Sequence, residues 1–167
     1  METISRKICM VGDFGVGKTS SVSRFVHNVY SEKYQTTIGV KVDTKEVDSA
    51  DQKVKMVIWD IAGRNKFGNV EFTYLRGSAG YLLVVDGTRS ITLDTAMALR
   101  TSIEARYGEL PFVMLLNKAD LEDSWQIDDA TIENLRKEGI PIFITSAKTG
   151  DQIEQAFIKL TELLQAS

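Results

Sequence analysis

The sequence has little cysteine, no long hydrophobic run and no basic block, and each shortage excludes a class of protein. Its single cysteine, Cys9, excludes a disulfide within the chain and fits the reducing environment of the cytoplasm. The apolar runs are too short to cross a membrane, and residues 1–5 do not resemble a signal peptide. We find neither a myristoylation motif nor a C-terminal prenylation box.

Charge and length limit the remaining classes. The net charge is −3, with 20 basic and 23 acidic side chains, so binding of nucleic acid by a charged surface is not expected. The 167 residues include 43% hydrophobic side chains and show no repeat or linker. These features predict one globular domain over residues 1–167.

Residues 12–19, GDFGVGKT, fit the pattern G-x-x-x-x-G-K-[ST] of a phosphate-binding loop. The glycines at positions 12, 15 and 17 allow the backbone to curl around phosphate groups and to point its N–H groups inward. Lys18 can reach the β- and γ-phosphates of a nucleoside triphosphate, and the Thr19 hydroxyl can ligate Mg²⁺.

The flanking segments supply the setting that this loop requires. Arg6–Val11 predicts a short buried strand, and Thr19–Asn28 predicts a helix. A helix that begins at about Lys18 turns its positive N-terminal end toward the phosphates. A glycine-rich turn that binds nothing is the alternative, and the order strand, loop, helix argues against it. The apolar stripe of the helix would consist of Val22, Phe25, Val26 and Val29.

The rest of the chain alternates strand and helix patterns. Alternating or continuous apolar residues predict further strands over Gly39–Val47, Lys53–Trp59, Tyr81–Asp86, Phe112–Leu116 and Ile140–Ile144. Further helices are predicted over Ser90–Tyr107, Asp128–Glu138 and Asp151–Leu164. This order predicts an α/β fold with a mostly parallel six-stranded sheet, one antiparallel hairpin strand and about five helices.

Some details of these elements are specific enough to be checked. The hairpin turn is expected at Asp48–Asp51, and Gly139 is expected to end the helix before it. Tyr30–Ile38 predicts a loop, whereas Arg64–Gly77 is compatible with a loop, an irregular helix or both. The helices are expected to bury Ile91, Leu93, Ala96, Met97, Leu99, Ile103 and Tyr107, and later Ile153, Phe157, Leu160 and Leu164.

Two further motifs follow predicted strands, where open α/β sheets bind ligands. Asp60-Ile61-Ala62-Gly63 matches D-x-x-G, which is weak evidence alone. At this distance from the phosphate-binding loop, however, an acid can hold the Mg²⁺ shell and a glycine N–H can approach the γ-phosphate.

Asn117-Lys118-Ala119-Asp120 has the chemistry of a guanine-reading loop. Asp120 can accept hydrogen bonds from both N–H groups on the guanine edge, whereas adenine lacks this pair of donors. The Lys118 stem can lie over the base, and Asn117 can tie neighbouring loops together. A polar turn after a strand is the alternative, and the presence of the phosphate-binding loop and of Ser146-Ala147-Lys148 argues against it.

With these motifs the chain resembles a small GTPase of the Ras superfamily, nearest the Rab branch. The matching stretches are GDFGVGKT, TTIGV, WDIAG, YLRGSAG, NKAD and TSAK, which lie between Arg6 and Leu164. The resemblance implies the P-loop NTPase fold (a small G domain), with GTP or GDP and Mg²⁺ as cofactors. It implies nucleotide contacts from Asp13, Gly15, Val16, Gly17, Lys18, Thr19, Ser20, Tyr30, Tyr34, Thr37, Gly63, Asn117, Lys118, Asp120, Ser146, Ala147 and Lys148.

The resemblance also implies roles for single residues. Tyr30 matches the aromatic residue that packs on guanine, and Tyr34 matches the one that covers the phosphates. Ala147 matches the backbone N–H that contacts the guanine oxygen. The segments Tyr30–Ile38 and Ile61–Gly77 correspond to the two switches, which the γ-phosphate orders. The implied metal residues are Thr19, Thr37 and Asp60, and the implied catalytic residues are Lys18, Thr37, Gly63 and Arg64.

Two departures from the family pattern concern hydrolysis. The family typically has AGQE where this chain has residues 62–65, AGRN, so Arg64 replaces the glutamine that orients the attacking water. Arginine offers donors only and cannot repeat that contact. Phe14 stands where the family has glycine, serine or another small residue, and it is expected to crowd the path of an arginine finger. Since the finger and glutamine together are worth about 10³–10⁵ in rate, hydrolysis is expected to be slow.

The role of Arg64 has three readings. It can point to solvent or pair with an acid such as Glu71, it can supply positive charge to the γ-phosphate, or it can contact a partner. The sequence favours the first of these.

The sequence thus predicts a GTP/GDP switch with slow hydrolysis; the alternative is a GTP-bound interaction module that recruits effectors without meaningful turnover. Effector proteins are expected to read Ile38–Lys45 and Lys66–Leu75, and an exchange factor and an activating protein are expected as regulators. A membrane is expected as a partner only if a lipidated tail follows Ser167.

The guanine assignment predicts that ATP does not compete for the site. Because Asp120 would lose both of its donors against adenine, ATP should not displace bound guanine nucleotide at a comparable concentration. The measurement is competition of ATP against labelled GDP, with unlabelled GDP as the control. Displacement by ATP at a concentration similar to that of GDP would show that the assignment is wrong.

Overall fold

The computed structural model describes residues 2–31, 39–50, 52–61 and 72–166. The predicted switch segments fall mostly in 32–38 and 62–71, which lie outside the described residues. Within the described residues, no helix is both long and apolar enough to span a membrane.

A six-stranded sheet forms the centre of the fold, in the order β2-β3-β1-β4-β5-β6. Among the described strands, only β2 and β3 pair in antiparallel fashion, and the other neighbours are parallel, as the alternation of strands and helices predicts. The strands are β1 (Glu2–Gly12), β2 (Val40–Ser49), β3 (Gln52–Ile61), β4 (Gly80–Asp86), β5 (Phe112–Asn117) and β6 (Ile142–Ile144).

The described residues contain four α-helices and two short 3₁₀ helices, close to the expected number. The α-helices are α1 (Lys18–His27), α2 (Ile91–Tyr107), α3 (Asp129–Lys137) and α4 (Ile153–Ala166); the 3₁₀ helices are Phe72–Leu75 and Glu122–Ser124. The Asp128 side chain caps α3 by accepting from the Thr131 N–H at 2.7 Å. Gly139, with φ of 87°, follows its end as predicted.

Helices cover both faces of the sheet and bury a core on each. Successive residues of β1 point to opposite faces, so Ile8 and Met10 enter one core, whereas Cys9 and Val11 enter the other. The first core includes α1 and α4, with the Phe25 and Phe157 rings stacked 4.0 Å apart. In the second core β4 packs against α2. All the positions predicted on the closing helix are buried: Ile153, Phe157, Leu160 and Leu164.

Two predicted core positions are wrong. Ile91 is 62% exposed because it is the first residue of α2, where the helix still faces solvent. Val29 is 55% exposed because Asn28 takes a left-handed conformation and ends α1, so Val29 leaves the helical stripe. The expected burial of Ala96, Leu99 and Ile103 is confirmed, and Leu93, Met97 and Tyr107 pack at the edge of the same core.

Most strands extend further than the sequence pattern predicts, but β6 begins at Ile142 rather than at the predicted Ile140. Asp48 pairs with Lys53 and Ser49 with Gln52, so the strands continue into the expected four-residue turn, and Ala50 has a φ of 52°. β1 begins at Glu2 rather than at Arg6 because its first residues pair with β3. Pairing with a neighbour, rather than apolar periodicity, sets these bounds.

Tyr81→Phe is expected to raise the free energy of unfolding by about 1 kcal/mol. Tyr81 is fully buried and its ring stacks on Phe112, but its hydroxyl has no hydrogen-bond partner among the described residues. Burial also raises the pKa of this phenol, so it stays neutral. Urea unfolding at fixed nucleotide and Mg²⁺ concentration measures the change.

Tyr107→Phe is the matched control. The Tyr107 hydroxyl donates to the Phe72 carbonyl at 2.6 Å, so its loss should lower the free energy of unfolding by about 1 kcal/mol. Equal effects of the two substitutions would contradict the hydrogen-bond assignment.

Candidate nucleotide-binding site

The predicted motifs gather at one edge of the sheet. β1 ends at Gly12, β3 at Ile61, β4 at Asp86 and β5 at Asn117, and these parallel strands place their carboxyl ends side by side. The segments that follow these strands carry the phosphate-binding, D-x-x-G and guanine-reading motifs. This is the position at which open α/β sheets bind ligands.

Close contacts with neighbouring strands require glycine at positions 12 and 17 of the phosphate-binding loop. A Cβ at Gly12 would collide with the Val84 carbonyl, and a Cβ at Gly17 would collide with the Asn117 amide. Gly17 also has a φ of 101°, which side chains disfavour. The loop can therefore lie directly against β4 and β5, and α1 begins immediately after it at Lys18, as predicted.

Lys18 is buried inside the loop that precedes it. Its ammonium donates to the carbonyls of Gly12 at 3.2 Å and Asp13 at 2.9 Å. Burial lowers the pKa of Lys18 to about 8, although the Asp60 and Asp13 carboxylates act to raise it. A phosphate group beside this amine would favour its charged form, which suits the predicted role.

Thr19 and Asp60 form the candidate metal centre. The Thr19 hydroxyl donates to Asp60 Oδ2 at 2.6 Å, and Asp60 is only 1% exposed. A hydroxyl and a carboxylate are hard oxygen ligands of the type that Mg²⁺ prefers, so the donor set fits this ion. Mg²⁺ would be held by Thr19 and backed by Asp60, where it would neutralise charge on the phosphates. The third predicted metal residue, Thr37, lies outside the described residues.

Asn117 connects three loops of the candidate base pocket. Its amide nitrogen donates to the Val16 carbonyl at 3.0 Å, and its oxygen accepts from the Thr145 hydroxyl and the Ala147 N–H at 3.2 Å each. The side chain is 2% exposed. The expected tie between neighbouring loops is therefore present in the structure.

The other residues of the guanine motif surround the same space. The Lys118 ammonium donates to the Gly15 carbonyl at 2.9 Å, so its stem crosses from the base loop to the phosphate loop. Asp120 accepts from the Ser146 hydroxyl at 2.7 Å and is otherwise open to solvent. Ser146 in turn accepts from the Thr149 N–H at 3.1 Å. These contacts bring together the two segments that the sequence assigns to the base.

The remaining predicted residues differ in where they lie. Asp13 and Val16 are buried in the loop, and Ser20 lies in the first turn of α1. Tyr30 is 38% exposed in a segment without regular structure, as the loop prediction requires. The predictions for Tyr34, Thr37, Gly63 and Arg64 concern residues outside the described part of the chain.

Arg24 is a residue of this region that sequence reasoning missed. Its Nε donates to the Ala147 carbonyl at 2.9 Å and its Nη2 to the Lys148 carbonyl at 2.6 Å. It thereby fastens α1 to the loop that carries the predicted guanine contacts of Ala147 and Lys148. Because its acceptors are backbone carbonyls far along the chain, no local sequence signal identifies it.

The comparison with known proteins agrees with this geometry. A model of the Ras family matches residues 7–166. The chain belongs to the Ras family. Ras-related protein SEC4 of Saccharomyces cerevisiae is 36% identical over 161 residues, which cover 95% of this chain and 74% of that protein. Ras-related protein Rab-32C of Dictyostelium discoideum is 35% identical over 99% of this chain and 76% of its own length.

A third relative is the Ypt/Rab-type GTPase YPT7 of Saccharomyces cerevisiae, 36% identical over 90% of this chain and 77% of its own length. These relatives place this Ras-family chain in the Rab-like branch. It is accordingly a small GTPase with a guanine-nucleotide-binding fold, and its family binds GTP or GDP, typically with Mg²⁺.

Asp60→Asn is expected to weaken Mg²⁺ binding. If Asp60 backs the metal, the Mg²⁺ concentration needed to slow the release of bound GDP should rise by about 10–100-fold. The measurement is GDP release against Mg²⁺ concentration. Asp43→Asn is the control, since Asp43 pairs instead with Lys41 and His27. An unchanged Mg²⁺ dependence in Asp60→Asn would contradict the assignment.

Proposed function

We propose that this Ras-family chain is a guanine-nucleotide switch that hydrolyses GTP slowly. It holds nucleotide and Mg²⁺ with the family's usual residues, and it differs where the family carries out hydrolysis. Water is the nucleophile, and backbone groups of the switches position it in place of a glutamine side chain.

The observation that carries this proposal is the place of Phe14. The residue belongs to the phosphate-binding loop, yet its side chain is 47% exposed. Its backbone is fixed on both sides: its N–H donates to Asp13 Oδ1 at 2.7 Å, and its carbonyl accepts from Arg89 Nη2 at 2.7 Å. A large, exposed side chain on a loop whose backbone is fixed in this way would obstruct an arginine finger that approaches the γ-phosphate.

Arg64 supports the same conclusion from its chemistry. A guanidinium group cannot accept a hydrogen bond, so it cannot hold the attacking water as glutamine does. In this proposal Arg64 points to solvent or pairs with an acid. Hydrolysis is slow because Arg64 does not orient the attacking water.

The binding residues support nucleotide retention. Lys18 lies within the loop, and Thr19 contacts Asp60, which suits a bound phosphate group and Mg²⁺. The bonds of Asn117 prearrange the base pocket. In this proposal the chain therefore binds guanine nucleotide although it hydrolyses GTP slowly.

A surface beside the switches supports effector binding. Val42 on β2 is 47% exposed and pairs with Trp59 on β3. The Trp59 ring lies 6.2 Å from the ring of Tyr74. Val42 and Tyr74 belong to the two segments expected to be read by partners, Trp59 lies between them, and aromatic residues favour such contacts.

Single-turnover hydrolysis tests the proposal. The protein is loaded with GTP and Mg²⁺, excess nucleotide is removed, and bound GTP and GDP are followed by chromatography over hours. The wild type should retain GTP for many hours, and Arg64→Gln should hydrolyse it clearly faster because the water contact returns. Phe14→Gly should increase the response to an activating protein, since the path of the finger opens.

Three outcomes distinguish the alternatives. Hydrolysis too slow to measure in the wild type, with normal GTP retention, would favour the effector-recruiting module without turnover. Hydrolysis at a rate usual for the family that slows in Arg64→Gln would show that Arg64 is catalytic. Faster hydrolysis in Arg64→Gln would support the proposed switch.

A further inference from the structure

A buried carboxylate stands beside the phosphate-binding loop and belongs to none of its motifs. Asp86 ends β4 and is 1% exposed. Its Oδ1 accepts from the N–H and the hydroxyl of Thr88, at 2.9 and 2.6 Å. Its Oδ2 lies 2.9 Å from Arg89 Nε and 2.9 Å from Lys118 Nζ. Burial acts to raise the pKa of Asp86, but these hydrogen bonds together lower it, so the carboxylate stays ionised.

The two cations held by Asp86 each reach the phosphate-binding loop. Lys118 donates to the Gly15 carbonyl at 2.9 Å, and Arg89 donates through Nη2 to the Phe14 carbonyl at 2.7 Å. Consecutive peptide groups of the loop are thereby tied to one buried anion. Lys118 belongs to the guanine motif, whereas Arg89 belongs to no motif of this site.

Arg89 uses a geometry that only a guanidinium group provides. Nε faces Asp86 while Nη2 faces Phe14, so one rigid planar group joins two acceptors. A lysine amine is a single point charge on a flexible stem and does not reproduce this fork. Burial is the main reason why the pKa of Lys18 is low, and the Arg89 charge lowers it further, so Arg89 lies near the phosphate site.

We propose that Arg89 is a positioning residue that fixes the phosphate-binding loop at Phe14 and so prolongs the residence of bound nucleotide. It acts through the loop rather than by touching the base. The inference rests on the proposed function, because it concerns how the same site retains nucleotide. It also explains how an aromatic side chain is kept in place at a loop position where small residues are usual.

The test is the dissociation rate of labelled GDP in saturating Mg²⁺. Arg89→Gln should release GDP about tenfold faster, since a charge-assisted contact to the loop is lost. Inosine diphosphate, which lacks the guanine amino group, should be released faster by the same factor. An equal factor for the two nucleotides shows that Arg89 acts on phosphate retention and not on the reading of the base.

Two further variants make the test specific. Arg100→Gln is the matched control, since Arg100 lies on α2, pairs with Glu104 at 3.0 Å and lies over the ring of Phe112, the first residue of β5; it should leave GDP release unchanged. Arg89→Lys keeps the charge but not the planar group that joins two acceptors. Its GDP dissociation rate should lie within about twofold of that of Arg89→Gln. The proposal would be overturned if Arg89→Lys or Arg89→Gln released GDP at the wild-type rate.

Other outcomes separate this inference from the proposed function. If the wild type held no guanine nucleotide, the proposed function itself would fail. Suppose instead that the wild type held GDP tightly and that Arg89→Gln changed only the ratio between the dissociation rates of GDP and inosine diphosphate. The positioning role would then be wrong.

Discussion

The side chain of Asn117 provides the contact on which the binding site depends most. One buried amide joins the phosphate-binding loop at Val16 to the end of β5 and to the loop that carries Ala147. Gly17 lies directly against this amide, which explains why that position cannot carry a side chain. A buried amide that keeps all its partners costs little, but one that loses a partner leaves a polar group unpaired. These contacts hold the loops that carry Val16, Asn117 and Ala147 in one arrangement.

The proposed function assigns binding and hydrolysis to different residues of this chain. Lys18 and Asp60 are buried charged groups close to the phosphate site, and burying such charges is unfavourable unless opposite charge compensates them. Phosphate groups and Mg²⁺ would supply that compensation, so these residues favour a bound nucleotide. In the proposed function, the changed residues Phe14 and Arg64 affect the approach of a catalytic arginine and the placing of water. A chain altered in this way can bind as its relatives do and still remain longer in its GTP form.

The sequence predicted those features that local patterns determine. Strand and helix order followed from apolar periodicity, and the phosphate loop and the guanine motif followed from residue type and spacing. Ile91 was assigned wrongly because a helical period does not reveal where the first turn faces solvent. Arg24 and Arg89 could not have been found, because they donate to backbone carbonyls 123 and 75 positions away. Any residue can offer a carbonyl, so such contacts leave no pattern in the sequence.

The most direct test of this account is the nucleotide carried by the protein as it is isolated. The protein is purified rapidly in Mg²⁺, denatured, and its released nucleotide is identified by chromatography. Intact binding with slow hydrolysis predicts stoichiometric guanine nucleotide, most of it GTP. GDP alone would contradict slow hydrolysis, and the absence of guanine nucleotide would contradict the intact site on which the account depends.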